Sequence, residues 1–283
     1  MKNKTKIYVA SAGTGKTTTL MNLLGECLKE TSPRKIGFTT FTKAGAQEAI
    51  DRALIKYPDY DPKEFEAFST LHALCYRRIP SKRIMNWKDY QAFSKLSSFK
   101  FTGAAAVSKK DGSNFTTGIG DRILYYNGLM RNMLMSSKEI LLETPSNVVS
   151  VKELDEFSKF YKKFKDQSDV YDFTDQLEQF LHLDVQLNLD YLFVDEAQDL
   201  SPLQWKVVDH LSKNVKQLYI AGDDKQSIYK FSGGDPISLI NREGSRIILN
   251  KSYRLPAKIL EYSERVAKKI TQKQDYTLSL IHI

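Results

Sequence analysis

Apolar residues in this chain fall into two patterns. Short apolar runs stand at Ile7–Ala10, Ile36–Phe41, Tyr191–Val194 and Gln217–Gly222, each closed by small or polar turn residues. Runs of this length fit strands buried on both faces. Elsewhere apolar residues recur every three or four positions. In Thr17–Lys29 the residues Leu20, Leu23, Leu24 and Leu28 share one helical face, and in Ala44–Ile55 the residues Ala46, Ala49, Ile50 and Ala53 do. Phe68–Thr70 reads as a short strand entering a helix at Leu71, Pro202–Leu211 and Pro256–Ile270 as helices, and Arg246–Leu249 as a further strand. Strands alternating with helices predict an α/β fold, a parallel sheet with helices on both faces and ligands at the carboxyl ends of the strands.

From about Ser81 to Val170 the alternation stops. Helical runs near Trp87–Leu96, Ile123–Met135 and Val151–Phe164 surround a Gly/Ser/Lys-rich loop at Thr102–Gly120, with no clear strand. This predicts a helical subdomain inserted into the α/β unit, dividing the chain into 1–80, 81–170, 171–250 and 251–283. The insert carries fifteen Lys/Arg against ten Asp/Glu, five of the net +8 charges of the 283-residue chain. That balance favours an anionic partner without naming it. Cys27 and Cys75 lack metal-ligand spacing and lie in helical patterns, so buried thiols in a reducing compartment are expected. With neither a leader pattern nor an apolar run of membrane-spanning length, a cytoplasmic protein with no membrane association is expected.

Three stretches carry candidate chemistry. Residues 10–17, "ASAGTGKT", depart from the phosphate-loop pattern G-x-x-x-x-G-K-[ST] only at Ala10, which is harmless where a strand ends at negative φ. They follow a strand and open a helix, so Ala12, Gly13, Thr14, Gly15, Lys16, Thr17 and Thr18 can wrap a phosphate at a helix N-terminus. In "VDEAQD" an apolar strand delivers Asp195 and Glu196 to the sheet edge. At that edge Asp195 can hold Mg²⁺ through water and Glu196 can polarise an attacking water. Strand alternation points the two to opposite faces, so they are not one bidentate clamp and serve different roles, and the phosphate-loop pattern gives Thr17 a hydroxyl for the same ion. In "GDDKQSIYKFSGG" a buried strand leads to Gln226, able to hydrogen-bond a γ-phosphate, and then to Tyr229 and Phe231.

Taken in order, these stretches resemble the UvrD/Rep/RecB-type superfamily 1 DNA helicases over most of the chain. "ASAGTGKT" corresponds to motif I, "TTFTKAGAQEA" (39–49) to motif Ia, "FSTLHALCYR" (68–77) to motif Ib, and "VDEAQDLSPLQ" (194–204) to motif II. "GDDKQSIYKFSGG" (222–234) corresponds to motif III and "LNKSYRLP" (249–256) to motif IV, while "YDFTDQL" (171–177) is similar to the Asp-Phe-x-Asp stretch ahead of motif II. The resemblance implies a RecA-like P-loop NTPase fold and an ATP- and Mg²⁺-dependent translocase on single-stranded DNA and single/double-strand junctions, moving 3′ to 5′. By the same resemblance Lys16 would meet the β and γ phosphates, Glu196 would activate water, Gln226 would sense the γ-phosphate, Tyr253 would pack on adenine and Arg254 would reach the γ-phosphate. Thr42, His72, Tyr229 and Phe231 would touch DNA. A nuclease or a replication or recombination protein as further partner is left open.

The chain also departs from that family. Family members usually carry a Gln-containing adenine-reading segment upstream of motif I; only "MKNKT" precedes the first strand here, which leaves selectivity for adenine open, and Ser232 stands where many relatives carry Arg. Nothing after Ile270 resembles the later motifs, and the ending "YTLSLIHI" reads as a truncated second RecA-like domain, which implies weak hydrolysis. A P-loop kinase or metabolic ATPase would share residues 10–17 but not the other motifs. A DNA-binding or regulatory module whose nucleotide site no longer cycles remains the alternative. Loss of the Lys16 charge is expected to abolish nucleotide binding without lowering apo stability.

Overall fold

The structure, a computed structural model, describes residues 4–10, 13–101, 118–226, 233–249, 251–252, 257–267 and 279–280. Its centre is a six-stranded sheet of β1 (Thr5–Ala10), β2 (Ile36–Thr39), β3 (Phe68–Ser69), β6 (Tyr191–Val194), β7 (Gln217–Gly222) and β8 (Ser245–Leu249) in the order β3-β2-β6-β7-β1-β8. Every pairing is parallel. The carboxyl ends of all six strands therefore lie along one edge, as the α/β pattern predicts. Two two-stranded ladders stand apart, β4 (Arg83–Ile84) with β5 (Val170–Tyr171) and β9 (Lys251–Ser252) with β10 (Ser279–Leu280).

Side-chain alternation divides the core in two. Ile7, Val9, Leu192, Val194, Leu218 and Ile220 face one side, against α3 (Leu71–Tyr76), α8 (Phe173–His182) and α9 (Pro202–Ser212). Tyr8, Tyr191, Phe193, Tyr219 and Ala221 face the other, against α1 (Lys16–Leu28) and α2 (Lys43–Lys56). On this second face Phe68, Phe38, Phe193 and Tyr219 are partners in register across four neighbouring strands. Their rings stack at 5.3, 5.8 and 4.7 Å between successive centroids. Cross-strand aromatic pairs of this kind hold register as well as burying area.

Residues 85–170 build a separate core from α4 (Trp87–Leu96), α5 (Ile119–Met133), α6 (Ser137–Glu143) and α7 (Val151–Gln167). Phe93 sits at its centre, fully buried, with Phe157, Phe160, Tyr161 and Phe164 around it at 5.0–5.8 Å. The expectation of no strand here needs amending: β4 and β5 pair where the chain enters and leaves this helical unit. Helix α5 also begins at Ile119, taking the last residues of the expected loop.

Helix α8, not foreseen as a helix, starts at the Asp-Phe-x-Asp stretch, where Asp172 and Asp175 form a reciprocal capping box. The same two carboxylates accept from Lys165 Nζ at 2.6 and 2.7 Å, and Arg131 on α5 grips Asp172, Asp175 and Glu178. Burial alone would raise both aspartates. The charges of Arg131 and Lys165 reverse this for Asp172, holding it well below the usual carboxylate range, whereas Asp175 stays raised beside the Asp172 charge. Two helices of the 85–170 unit are thus fastened to α8 by a buried charge cluster.

Both cysteines are free and buried, and burial pushes the Cys27 thiol up to about 11. Among the described residues no helix is long and apolar enough to cross a membrane.

Removing one cation from a buried charge cluster strands its partners at a cost of about 3–5 kcal/mol. Arg131→Ala should lower stability by about that amount in guanidinium unfolding, and adding Asp175→Ala should restore part of the loss.

Candidate functional site

Three strand ends meet at the candidate site. Strand β1 ends at Ala10, the phosphate-loop stretch follows, and α1 begins at Lys16. Gly13 and Gly15 have φ of 75° and 78°, and Gly15 occupies the left-handed N-cap position of α1. A Cβ at either glycine would be strained there, which explains both. No side chain caps α1 among the described residues. Thr14 is buried, Thr17 half-buried and Thr18 exposed. Ala12 lies outside the described residues.

Strand β7 lies between β1 and β6, and Lys16 reaches across its end to the carboxylates that follow β6. Lys16 Nζ is 2.5 Å from Glu196 Oε2 and 3.5 Å from Asp195 Oδ1. The expectation that these carboxylates point to opposite faces does not hold. The strand stops at Val194, and Glu196 adopts φ 53°, ψ 40°, a left-handed conformation uncommon for a residue with a side chain. Its backbone N–H donates to Asp195 Oδ1 at 2.9 Å. That reversal brings both carboxylates to one ammonium, the sort of local strain that clusters at functional sites.

The charges order themselves accordingly. Burial works against ionisation of all three groups. For Lys16 it is outweighed by Asp195 and Glu196, so the ammonium is held above its ordinary value. Glu196 is held below its own by Lys16 and by a hydrogen bond from Gln198. Asp195 stays raised by burial despite Lys16. Asp199, pushed up to about 7 by burial and by the Glu196 charge, carries one oxygen with no hydrogen-bond partner among the described residues.

Past β7, Asp223 is buried and accepts from Lys225 N at 3.1 Å through its side chain and from Gln226 N at 3.0 Å through its carbonyl. Gln226 stands exposed at the end of this turn. Tyr229, Phe231, Tyr253 and Arg254 lie outside the described residues. Further along the same sheet edge, Thr42 caps α2 by accepting from Gly45 N at 3.0 Å. His72 on α3 is half-buried, its ring edge-on to Phe173 at 6.2 Å, and Phe173 is 60% exposed. Sequence reasoning passed over Phe173 as a separate residue; its signal is an aromatic directly after a helix-capping Asp, which faces out of the core.

The model of the UvrD/REP helicase N-terminal domain matches residues 1–245. The chain belongs to this family. Among its relatives, the ATP-dependent DNA helicase PcrA of Bacillus subtilis is 25% identical over 96% of the chain and 38% of its own length. The ATP-dependent DNA helicase Rep of Buchnera aphidicola subsp. Schizaphis graminum is 26% identical over 92% of the chain and 41% of its own length. The chain therefore spans about two fifths of these relatives. As a UvrD/REP N-terminal domain it has the RecA-like parallel sheet that motifs I to III imply, and the phosphate loop, motif II and motif III occupy adjacent strand ends.

The geometry revises one expectation about Lys16. Its ammonium pairs with two partly buried carboxylates before any ligand binds, so Lys16→Met should lower apo stability by about 1–3 kcal/mol at pH 8. Because Glu196 is depressed in the fold, this contribution is present above about pH 4.5 and fades as pH falls below it. Urea unfolding of both proteins at pH 8 and pH 4 should show the gap beginning to narrow at the lower pH; a gap absent at both would contradict the pairing.

Proposed function

We propose that this chain is the nucleotide-binding part of an ATP-driven motor that moves on single-stranded DNA and acts at single/double-strand junctions. The observation that carries the reading is the Lys16 ammonium, held between Glu196 and Asp195 at the N-terminus of α1. A lysine so placed exchanges carboxylate partners for phosphate oxygens with little movement, and the exchange frees Glu196. The family match and the basic balance of residues 81–170 support DNA as the track. The division at 81–170, translocation from 3′ to 5′, a cytoplasmic setting and a role in repair, replication or recombination belong to the same proposal.

The residues present suit Mg²⁺. Thr17 offers a hydroxyl and Asp195 a buried carboxylate that a divalent cation would keep ionised. Magnesium binds through one or two protein oxygens plus phosphate and water; Thr17 and Asp195 would hold it, and it would supply neutralisation of phosphate charge. Lys16 then binds and orients the β and γ phosphates. Glu196, no longer paired, accepts a proton from the attacking water at its carboxylate. Gln226, on the turn after β7, lies within the same row of strand ends and reports the γ-phosphate. In this reading Arg254 and Tyr253 contribute from the second RecA-like domain, and Thr42, His72, Tyr229 and Phe231 hold the strand. The exposed Phe173 beside His72 adds an aromatic face to that set; a stacked base is worth about 1–3 kcal/mol.

Single-turnover cleavage of ATP, with the chain in excess so that slow rates are resolved, tests the reading with and without oligo(dT). Oligo(dT) should raise the rate, and Glu196→Gln should lower it at least 100-fold without loss of nucleotide binding. Cleavage that ignores both DNA and Glu196→Gln would favour a binding module whose nucleotide site does not cycle.

A further inference from the structure

Gln198 is 97% buried in the turn after Glu196, and its side-chain amide is directed at the site. Its Nε2 donates to Glu196 Oε2 at 2.9 Å and to Asp199 Oδ2 at 3.2 Å. Its Oε1 accepts from the backbone N–H of Asp223 at 2.9 Å. The orientation of the amide follows from its partners, since a backbone N–H only donates and an ionised carboxylate only accepts.

We propose that Gln198 is a positioning residue that clamps the Glu196 carboxylate and joins it to the end of strand β7, so that motif II and motif III move as one piece. The inference rests on the reading of Glu196 as the group that activates water. Two features beside the hydrogen bonds support it. Glu196 is held in a left-handed conformation that its own backbone does not favour. Lys16 is one restraint on that conformation, but it is the restraint that phosphate competes for; Gln198 is not. The second feature is Gly222, whose added Cβ would lie 2.9 Å from Gln198 Oε1 and 2.8 Å from Leu239 Cδ2. The last residue of β7 is thus a glycine where the amide of Gln198 must come close. From Asp223 the connection continues through one turn, because Gln226 N donates to the Asp223 carbonyl at 3.0 Å. One amide and one turn therefore link the water-activating carboxylate to the phosphate-sensing glutamine.

Gln198→Leu keeps the volume and removes every hydrogen bond. In the nucleotide-free 283-residue chain, amide hydrogen exchange at Asp223 should accelerate at least tenfold, while Leu218–Ala221 within the sheet keep their protection. Unchanged exchange at Asp223 would overturn the proposal. In single-turnover ATP cleavage, Gln198→Leu should lower the rate at least tenfold with the affinity for a fluorescent ATP analogue within twofold. Added to Glu196→Gln it should lower the rate no further, because the two residues act as a unit; additive losses would overturn the shared role. If the unaltered chain cleaves no ATP, the hydrolysis reading fails by itself, and exchange at Asp223 still decides whether the clamp exists. Should Gln198→Leu fail to fold, Gly222→Ala presses on the same amide from the β7 side and is read by the same two measurements.

Discussion

A single ammonium facing two carboxylates in a partly buried site is the constraint around which the rest of the molecule is arranged. Lys16 sits 2.5 Å from Glu196 and 3.5 Å from Asp195, and charges at such distances interact several-fold more strongly at an effective dielectric of about 20 than in water. The pair only forms if β1 and β6 end at the same level with one strand between them, if the first turn of α1 points at that gap, and if the chain reverses after Val194. Parallel pairing of β1, β7 and β6 supplies the first condition, the two left-handed glycines the second, and left-handed Glu196 the third.

The sheet holds these ends in place through its buried faces. The stacked rings of Phe68, Phe38, Phe193 and Tyr219 tie four strands in register, and a one-residue slip in any of them would turn its aromatic to the opposite face. The same register sets Val194 opposite Ile220 and Val9 opposite Gly222, which aligns the site. Away from the sheet, Arg131 and Lys165 fix the 85–170 unit to α8, and the helix they grip begins at Phe173 beside His72. Packing of that unit and the His72–Phe173 pair are therefore mechanically close.

Strands, long helices and the phosphate loop were legible in the sequence because they rest on local signals: apolar runs, three-to-four spacing, and glycines at a strand-to-helix turn. Helix α8 was missed because Asp172 and Asp175 read as part of a motif when they also form a capping box. The β4–β5 ladder was missed because two-residue strands carry no periodicity. The opposed placement of Asp195 and Glu196 failed for a specific reason: strand alternation was extended past Val194, where a left-handed residue cancels it. Gln198 showed no signal of its own in sequence, since its value lies in a hydrogen bond to a residue 25 positions away.

Equilibrium binding of Mg·ATP to the unaltered chain, to Lys16→Met and to Glu196→Gln measures the central exchange most directly. If phosphate replaces the carboxylates as the partner of Lys16, Lys16→Met should weaken binding at least tenfold, and Glu196→Gln, which removes the competitor, should bind as tightly as the unaltered chain or more tightly. Equal affinity of Lys16→Met and the unaltered chain would contradict the account.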